Sequence, residues 1–526
     1  MRPFPVLWSL ATIAFALTNH ASQEASKCTS FAPSAVLASY DASFLNTTHF
    51  PIGALNVSGI LNHVSFCEIY ANISYETNSS LIFAIWLPDT QYALRFMAVG
   101  NGGMAGAIDY SNMVTQLNSE LGFAVAGGNA GHLASENNAG AGAPEVYLPY
   151  LHDEDQVRAW IHDAVSLFTP AAKAVVKHYY SHEAKHAYYD GCSTGGAQGF
   201  ALAEFHPDLF DGIVAGCPGN WYSHLALSFL WSAQQTDTNA TFLSQPVLDF
   251  ITAEALRECD LIDGVADNLI ENPLACPFDV SSLACNGSIL TPNDNITCLI
   301  SSHITAAKAI NQGPVRSDDP TTSLYPGFSS GSETNWLLQE GTLASAFSIP
   351  ILQNLVFNNL SYDAATFNWA SDVDILDARA GTFIDETSNN LSSFWKRGSK
   401  MLVYQGWADP FNAAAWPIQH LEAVTRATIG DNATVVNNDF MKLFMIPGGG
   451  HCGASISAQY SNIPAEYDMV PALVNWVEKG HVPLEGIKSE APSDGSARTR
   501  RLCAWPAVAK LKDGGEVDDW ESYVCE

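Results

Sequence analysis

Short apolar runs built from strand-forming residues alternate with longer stretches of helical periodicity over much of the chain. The runs Leu81–Trp86, Leu94–Val99, Phe123–Ala126, Ala187–Tyr189 and Ile213–Ala215 read as strands, and the segments near Gln156–Tyr180 and Gly195–His206 read as helices. Such alternation predicts a parallel sheet flanked by helices. From Trp221 to Trp395 the pattern loosens into turns, closely spaced cysteines and aromatic residues without sheet periodicity. It resumes with strands at Met401–Gln405 and Lys442–Ile446 and a helix near Glu466–Lys479. The reading is one α/β domain in two pieces, residues 22–220 and 396–526, interrupted by an inserted lid over 221–395. No internal repeat and no long low-complexity linker is present.

At 526 residues and 47% hydrophobic side chains the chain can bury a large core and more than one compact unit. Charge narrows the partners. With 54 acidic against 23 basic side chains and a formal charge of −31, the surface repels nucleic-acid phosphates and anionic membranes. The first 21 residues carry Arg2, an apolar stretch Val6–Leu17 and small residues near Ala21, the layout of a cleaved secretory signal. That apolar stretch is shorter than the roughly 20 residues a membrane span needs.

Secretion is consistent with ten Asn-x-Ser/Thr triplets, at Asn46, Asn56, Asn72, Asn78, Asn239, Asn286, Asn295, Asn359, Asn390 and Asn432. It also makes disulfides the default for the eleven cysteines, and the odd count leaves at least one thiol unpaired or pairing elsewhere.

The chemistry begins at Gly191-Cys192-Ser193-Thr194-Gly195, a G-x-S-x-G pattern with a strand-like run before it and a helical run after it. A nucleophilic serine held on a sharp strand-to-helix turn needs small residues two positions to either side, which this pattern supplies. The hydroxyl is a poor nucleophile without a base that is itself oriented by a carboxylate. Both candidates follow later strands in the order serine, acid, histidine. "MLVYQGWADP" ends in Asp409, and "LFMIPGGGHCG" runs through three glycines to His451.

Cys192 precedes the serine and Cys452 follows the histidine, so contact between Ser193 and His451 would bring the two sulfurs within bonding reach. For the oxyanion, the Thr194 amide is one donor, and the loop "VGNGGMAG" offers Gly102 or Gly103 as the second, with no basis for choosing between them. His132 has no acid partner in view and reads as structural or substrate-facing. The lid aromatics Trp221, Tyr222, Phe229, Phe347 and Trp369 could sandwich a phenolic ring or simply form the lid's own core.

The Cys192-Ser193, Asp409 and His451-Cys452 constellation, with "GNGGMAG", "GCSTGG" and "GGGHCG", closely resembles the secreted fungal tannase and feruloyl esterase family over nearly the whole mature chain. The resemblance implies an α/β-hydrolase fold with a lid inserted between the serine and acid segments, acting on esters of phenolic acids, small or polysaccharide-linked. Galloyl esters, or a catalytically silent binding protein on the same fold, are the alternatives.

It also implies a structural Ca²⁺ in the lid loop "CDLIDGVADNLIENPLAC", held by the side chains of Asp260, Asp263 and Asp267 and the carbonyls of Val265 and Leu269. The spacing differs from an EF-hand. A bridge from Cys259 to Cys276 would close that loop, and similarity with elimination pairs Cys28 with Cys67, Cys285 with Cys298 and Cys503 with Cys525, leaving Cys217 as a buried thiol.

Overall fold

The computed structural model describes residues 23–76, 79–285, 296–453, 455, 460, 463–490 and 498–526. The expected signal segment and the triplets at Asn78, Asn286 and Asn295 lie outside the described residues. Nine strands form the main sheet: β1 (Ala42–Phe50), β2 (Phe66–Tyr75), β3 (Ser79–Pro88), β4 (Arg95–Val99), β5 (Phe123–Gly128), β6 (His186–Cys192), β7 (Gly212–Gly216), β8 (Lys400–Gly406) and β9 (Met441–Ile446). Their spatial order is β1-β2-β3-β5-β4-β6-β7-β8-β9.

From β5 through β9 every pairing is parallel, whereas β1 with β2, β2 with β3 and β3 with β5 are antiparallel. The sheet is therefore mixed, which corrects the expectation of a parallel one: the first two strands went unread in the polar N-terminal stretch.

Side-chain alternation sorts each central strand between two cores. Phe96 and Ala98 of β4, Ile213 and Ala215 of β7, and Met401 and Val403 of β8 pack into one core. That core includes residues of helices α2 (Ala164–Tyr180), α3 (Thr194–Phe205) and α7 (Ala415–Ile429). The intervening Met97, Val99, Val214 and Leu402 pack on the opposite face with α1 (Tyr110–Asn118) and α8 (Met469–Lys479). This is the α/β-hydrolase arrangement, with helices on both faces.

Between β7 and β8 the lid contributes α4 (Tyr222–Gln235), α5 (Gln245–Cys259) and α6 (Ser301–Gln312), together with many short 3₁₀ and π turns. No helix among the described residues is long and apolar enough to cross a membrane.

Two expected helices are revised at their starts. Glu466–Tyr467 is a strand paired with Ser489 and Glu490, so the last helix begins at Met469. Ahead of α2, a short helix Glu154–Arg158 runs into a π turn at Ala159–Asp163.

Candidate active site

Strand β6 hands over to α3 at Ser193, whose backbone sits at φ 65° and ψ −120°. A non-glycine residue tolerates that left-handed geometry only when its surroundings enforce it. Here the enforcement is tight. The Ser193 amide donates to Gly216 O at 2.9 Å, while its carbonyl accepts from Gly219 N at 3.1 Å and Ala197 N at 3.2 Å. Side chains at the flanking glycines would not fit: a Cβ on Gly191 would lie 2.8 Å from Gly195 O, and one on Gly195 would lie 3.0 Å from Asn101 O.

Asp409 and His451 leave the neighbouring strands β8 and β9, as the sequence pattern requires. His451 Nδ1 lies 2.8 Å from Asp409 Oδ2. The carboxylate is fully fixed: Oδ1 accepts from Phe411 N at 2.7 Å and Asn412 N at 3.1 Å, and Oδ2 also accepts from Gln405 Nε2 at 2.9 Å. Asp409 is 1% exposed, which denies water any competition for these bonds.

The Cys192–Cys452 disulfide is present, with a Cα–Cα separation of 5.8 Å, and it fastens the residue after the histidine to the residue before the serine. The free thiol of Cys217 lies beneath it, accepting from Cys452 N at 3.3 Å. Its sulfur lies within 4.8 Å of both bridge sulfurs, and within the same distance of the ligand atoms of Asp409 and His451. Burial, reinforced by the Asp409 charge, pushes this thiol up and keeps it protonated. The other bridges are Cys28–Cys67, Cys259–Cys276, Cys285–Cys298 and Cys503–Cys525.

Ser193, His451, Gly102 and Gly103 line one cavity of about 600 Å³. Among the described residues, the amides of Gly102, Gly103 and Thr194 donate to no protein acceptor. These are the donors a developing oxyanion would need.

Tyr222, Leu225, Phe229, Phe347 and Phe411 form an apolar wall of the same cavity. Phe411 stacks on the His451 ring at 4.4 Å between centroids. A Cβ on Gly103 would stand 3.9 Å from Phe347. Of the five lid aromatics named from sequence, Tyr222, Phe229 and Phe347 face this space and two do not. Trp221 packs on His224 and Trp416, and Trp369 packs on Trp231 and Phe367.

Phe411 and Gln405 escaped sequence reading. Gln405 carried the clearer signal, a polar residue inside an otherwise apolar strand four positions before the acid. His132 lies off the cavity, its ring nitrogens facing Met104 O at 2.7 Å and Ala130 O at 3.3 Å, and burial pushes its pKa down.

In the lid, Asp260, Asp263 and Asp267 lie on the expected loop beside Glu271. Asp260 Oδ1 accepts from the amides of Asp267 and Leu269, both at 3.2 Å, and Asp263 Oδ1 accepts from Val265 N at 2.9 Å. Asp267 Oδ2 takes Arg498 at 3.0 Å and also Arg500, which reaches Glu271 at 2.9 Å. Asp263, Asp267 and Glu271 thus face Arg500, Arg498 adds a second guanidinium at Asp267, and burial pushes Asp263 up to about 6. An oxygen-only donor set with surplus negative charge fits a hard divalent cation. No choice of one oxygen from each of the three aspartates brings all of them within 4.8 Å of one another, so the loop would have to close inward on an ion.

The family model described as tannase and feruloyl esterase matches residues 67–526. A probable feruloyl esterase B-1 of Aspergillus fumigatus is 28% identical over 506 residues, spanning 91% of this chain and 92% of its own. The crystal structure of feruloyl esterase B from Aspergillus oryzae superposes with a TM-score of 0.78 at 25% identity, over 94% of this chain and all of that one. The tannin acyl hydrolase of Aspergillus niger shares the fold, with a TM-score of 0.70 at 19% identity over 94% of each chain.

Proposed function

The chain belongs to the tannase and feruloyl esterase family and is a carboxylic ester hydrolase, and from that premise we propose that Ser193, His451 and Asp409 cleave feruloyl-type phenolic esters by double displacement. His451 Nε2 takes the hydroxyl proton as Ser193 Oγ attacks the ester carbonyl. Asp409 holds the Nδ1–H tautomer and stabilises the imidazolium through the 2.8 Å contact. The amides of Thr194 and of Gly102 or Gly103 receive the oxyanion. His451 then protonates the departing alcohol, and water repeats the path in reverse to free the acid.

The apolar wall carries the choice of substrate. Around the serine, Tyr222, Leu225, Phe229, Phe347 and Phe411 present one phenolic hydroxyl among hydrocarbon faces. A methoxylated cinnamoyl ring buries well against that wall, whereas a trihydroxylated galloyl ring pairs its hydroxyls only by turning toward the polar residues that also line the cavity, among them Asn112, Gln116 and Asn412, each hydroxyl left unpaired costing about 1–3 kcal/mol. The expected result is a kcat/KM for methyl ferulate about tenfold or more above that for methyl gallate, measured by chromatographic product assay. Equal or greater gallate turnover would replace this reading with a tannase. Hydrolysis of neither ester, with no labelling of the Ser193 peptide by phenylmethylsulfonyl fluoride, would leave a silent binding protein.

Secretion and glycosylation belong to the same proposal. They are supported by the five disulfides and by the exposure of Asn46, Asn56, Asn239, Asn359, Asn390 and Asn432, with Asn72 half-buried. Ca²⁺ in the lid loop, held by Asp260, Asp263 and Asp267 with the carbonyls of Val265 and Leu269, would neutralise surplus charge and take no part in the reaction. Chelation is expected to lower Tm by several degrees, restored by Ca²⁺ and not by Mg²⁺, with metal content followed by elemental analysis. A Tm unmoved by chelation, with no calcium in the purified protein, rejects the site.

A further inference from the structure

The loop that lines the cavity with Gly102 and Gly103 has no regular structure of its own, yet several of its polar groups are tied down. Asn101 N donates to Gln198 Oε1 at 3.0 Å, and the Asn101 side chain donates to Ala107 O at 2.9 Å and Gly128 O at 2.8 Å. Gly102 O accepts from Ala105 N at 3.1 Å. The carbonyl of Gly103 is held twice, by the indole N–H of Trp160 at 3.0 Å and by the hydroxyl of Thr194 at 2.9 Å.

Trp160 comes from the π turn Ala159–Asp163 ahead of α2. Its position is itself fixed. Its own carbonyl accepts from Gln198 Nε2 at 2.8 Å, Tyr150 and Tyr222 pack edge-on against its ring with centroids 5.5 and 4.8 Å away, and the side chain is fully buried. A buried indole N–H demands an acceptor, and the Gly103 carbonyl is the one it has.

The Gly103 N–H shares one rigid peptide with Gly102 O, which Ala105 N holds, and the next peptide is clamped through Gly103 O, so the φ and ψ of Gly103 between the two planes are set from both sides. Gly103 needs the restraint because its φ of 56° belongs to a residue with many alternative conformations. We propose that Trp160 is a positioning residue for the oxyanion hole: its indole N–H, acting with the Thr194 hydroxyl, sets the Gly103 peptide and thereby aims the glycine amides at the reacting carbonyl. This rests on the reading of Gly102–Gly103 as oxyanion donors.

The test is Trp160→Phe, which keeps an aromatic ring in the core and deletes the N–H. Replacing Trp160 by 3-(3-benzothienyl)alanine keeps the bicyclic shape as well, in case the phenylalanine variant folds poorly. Each is expected to lower kcat about ten- to a hundredfold, below the loss on deleting an oxyanion donor outright, with KM within about twofold of the wild type.

Affinity for an arylboronic acid, which forms a tetrahedral adduct on serine, should fall by the same factor. Affinity for the product acid should not change. Unchanged kcat in the benzothienyl variant overturns the inference, as does a parallel loss of product binding and Tm, which would mark Trp160 as merely structural. A wild-type protein that hydrolyses no ester and binds no boronate would instead defeat the functional reading beneath it.

Discussion

Ser193→Gly yields a protein without measurable esterase activity that melts above Ser193→Ala. Either substitution removes Oγ and leaves no nucleophile, and the expected fall in kcat is on the order of 10⁵-fold or more. The two variants separate on stability. Ser193 holds φ 65° and ψ −120°, a conformation that costs a residue with a Cβ about 1–3 kcal/mol and glycine almost nothing. Alanine keeps that strain, whereas glycine releases it, less about 0.5–1 kcal/mol for its freer unfolded chain. Calorimetry on the two variants reads the difference. Glycine melting at or below alanine would mean that the elbow stores no strain, and residual turnover in either would mean that another group attacks the ester.

Asp409→Asn is expected to lower kcat about 10⁴-fold with little change in fold. Oδ1 receives two backbone amides, so the asparagine oxygen must stay at that position. Its NH₂ then occupies the Oδ2 position, where Gln405 Nε2 and His451 Nδ1 already point their hydrogens. Donor meets donor. The imidazole escapes by shifting its proton to Nε2, the tautomer that cannot accept a proton from Ser193. Nitrogen NMR of the labelled histidine would report the shift. A loss below tenfold would show that the carboxylate does not govern the base.

How much of this was legible in the sequence depended on whether the signal was local. The elbow, the acid and the histidine were readable because each follows an apolar run and sits among small residues. Strand β1 was missed because its alternation breaks at a bulge between Phe44 and Asn46, which spoils the period of two. Helix α4 was missed for the opposite reason. Every residue from Tyr222 to Leu230 is buried, so no polar face marks a period of 3.6. The antiparallel pairing of β2 with β3 is local, with Tyr75 opposite Ser79, but those of β1 with β2 and of β3 with β5 join segments farther apart than a short window spans. Trp160 acts through its indole hydrogen bond to Gly103 O and Gln405 through its amide hydrogen bond to Asp409 Oδ2, and no spacing rule points to such contacts.

The lid enters the chain between β7 and β8, which are themselves direct partners, with Lys400 opposite Gly212 and Tyr404 opposite Gly216. Excising the insertion would leave that ladder closed, so the sheet's own pairing does not depend on the inserted residues. Many struts nonetheless join the two: Asn335 and Gln339 reach from the lid to the carbonyls of Ala408 and Pro410, on either side of the acid, Gln353 and Asn354 accept from the amides of Glu145 and Leu148, and Arg500 reaches back to Asp267 and Glu271. An engineer grafting a foreign lid at that junction would have to re-create this whole set of contacts, not two amides alone.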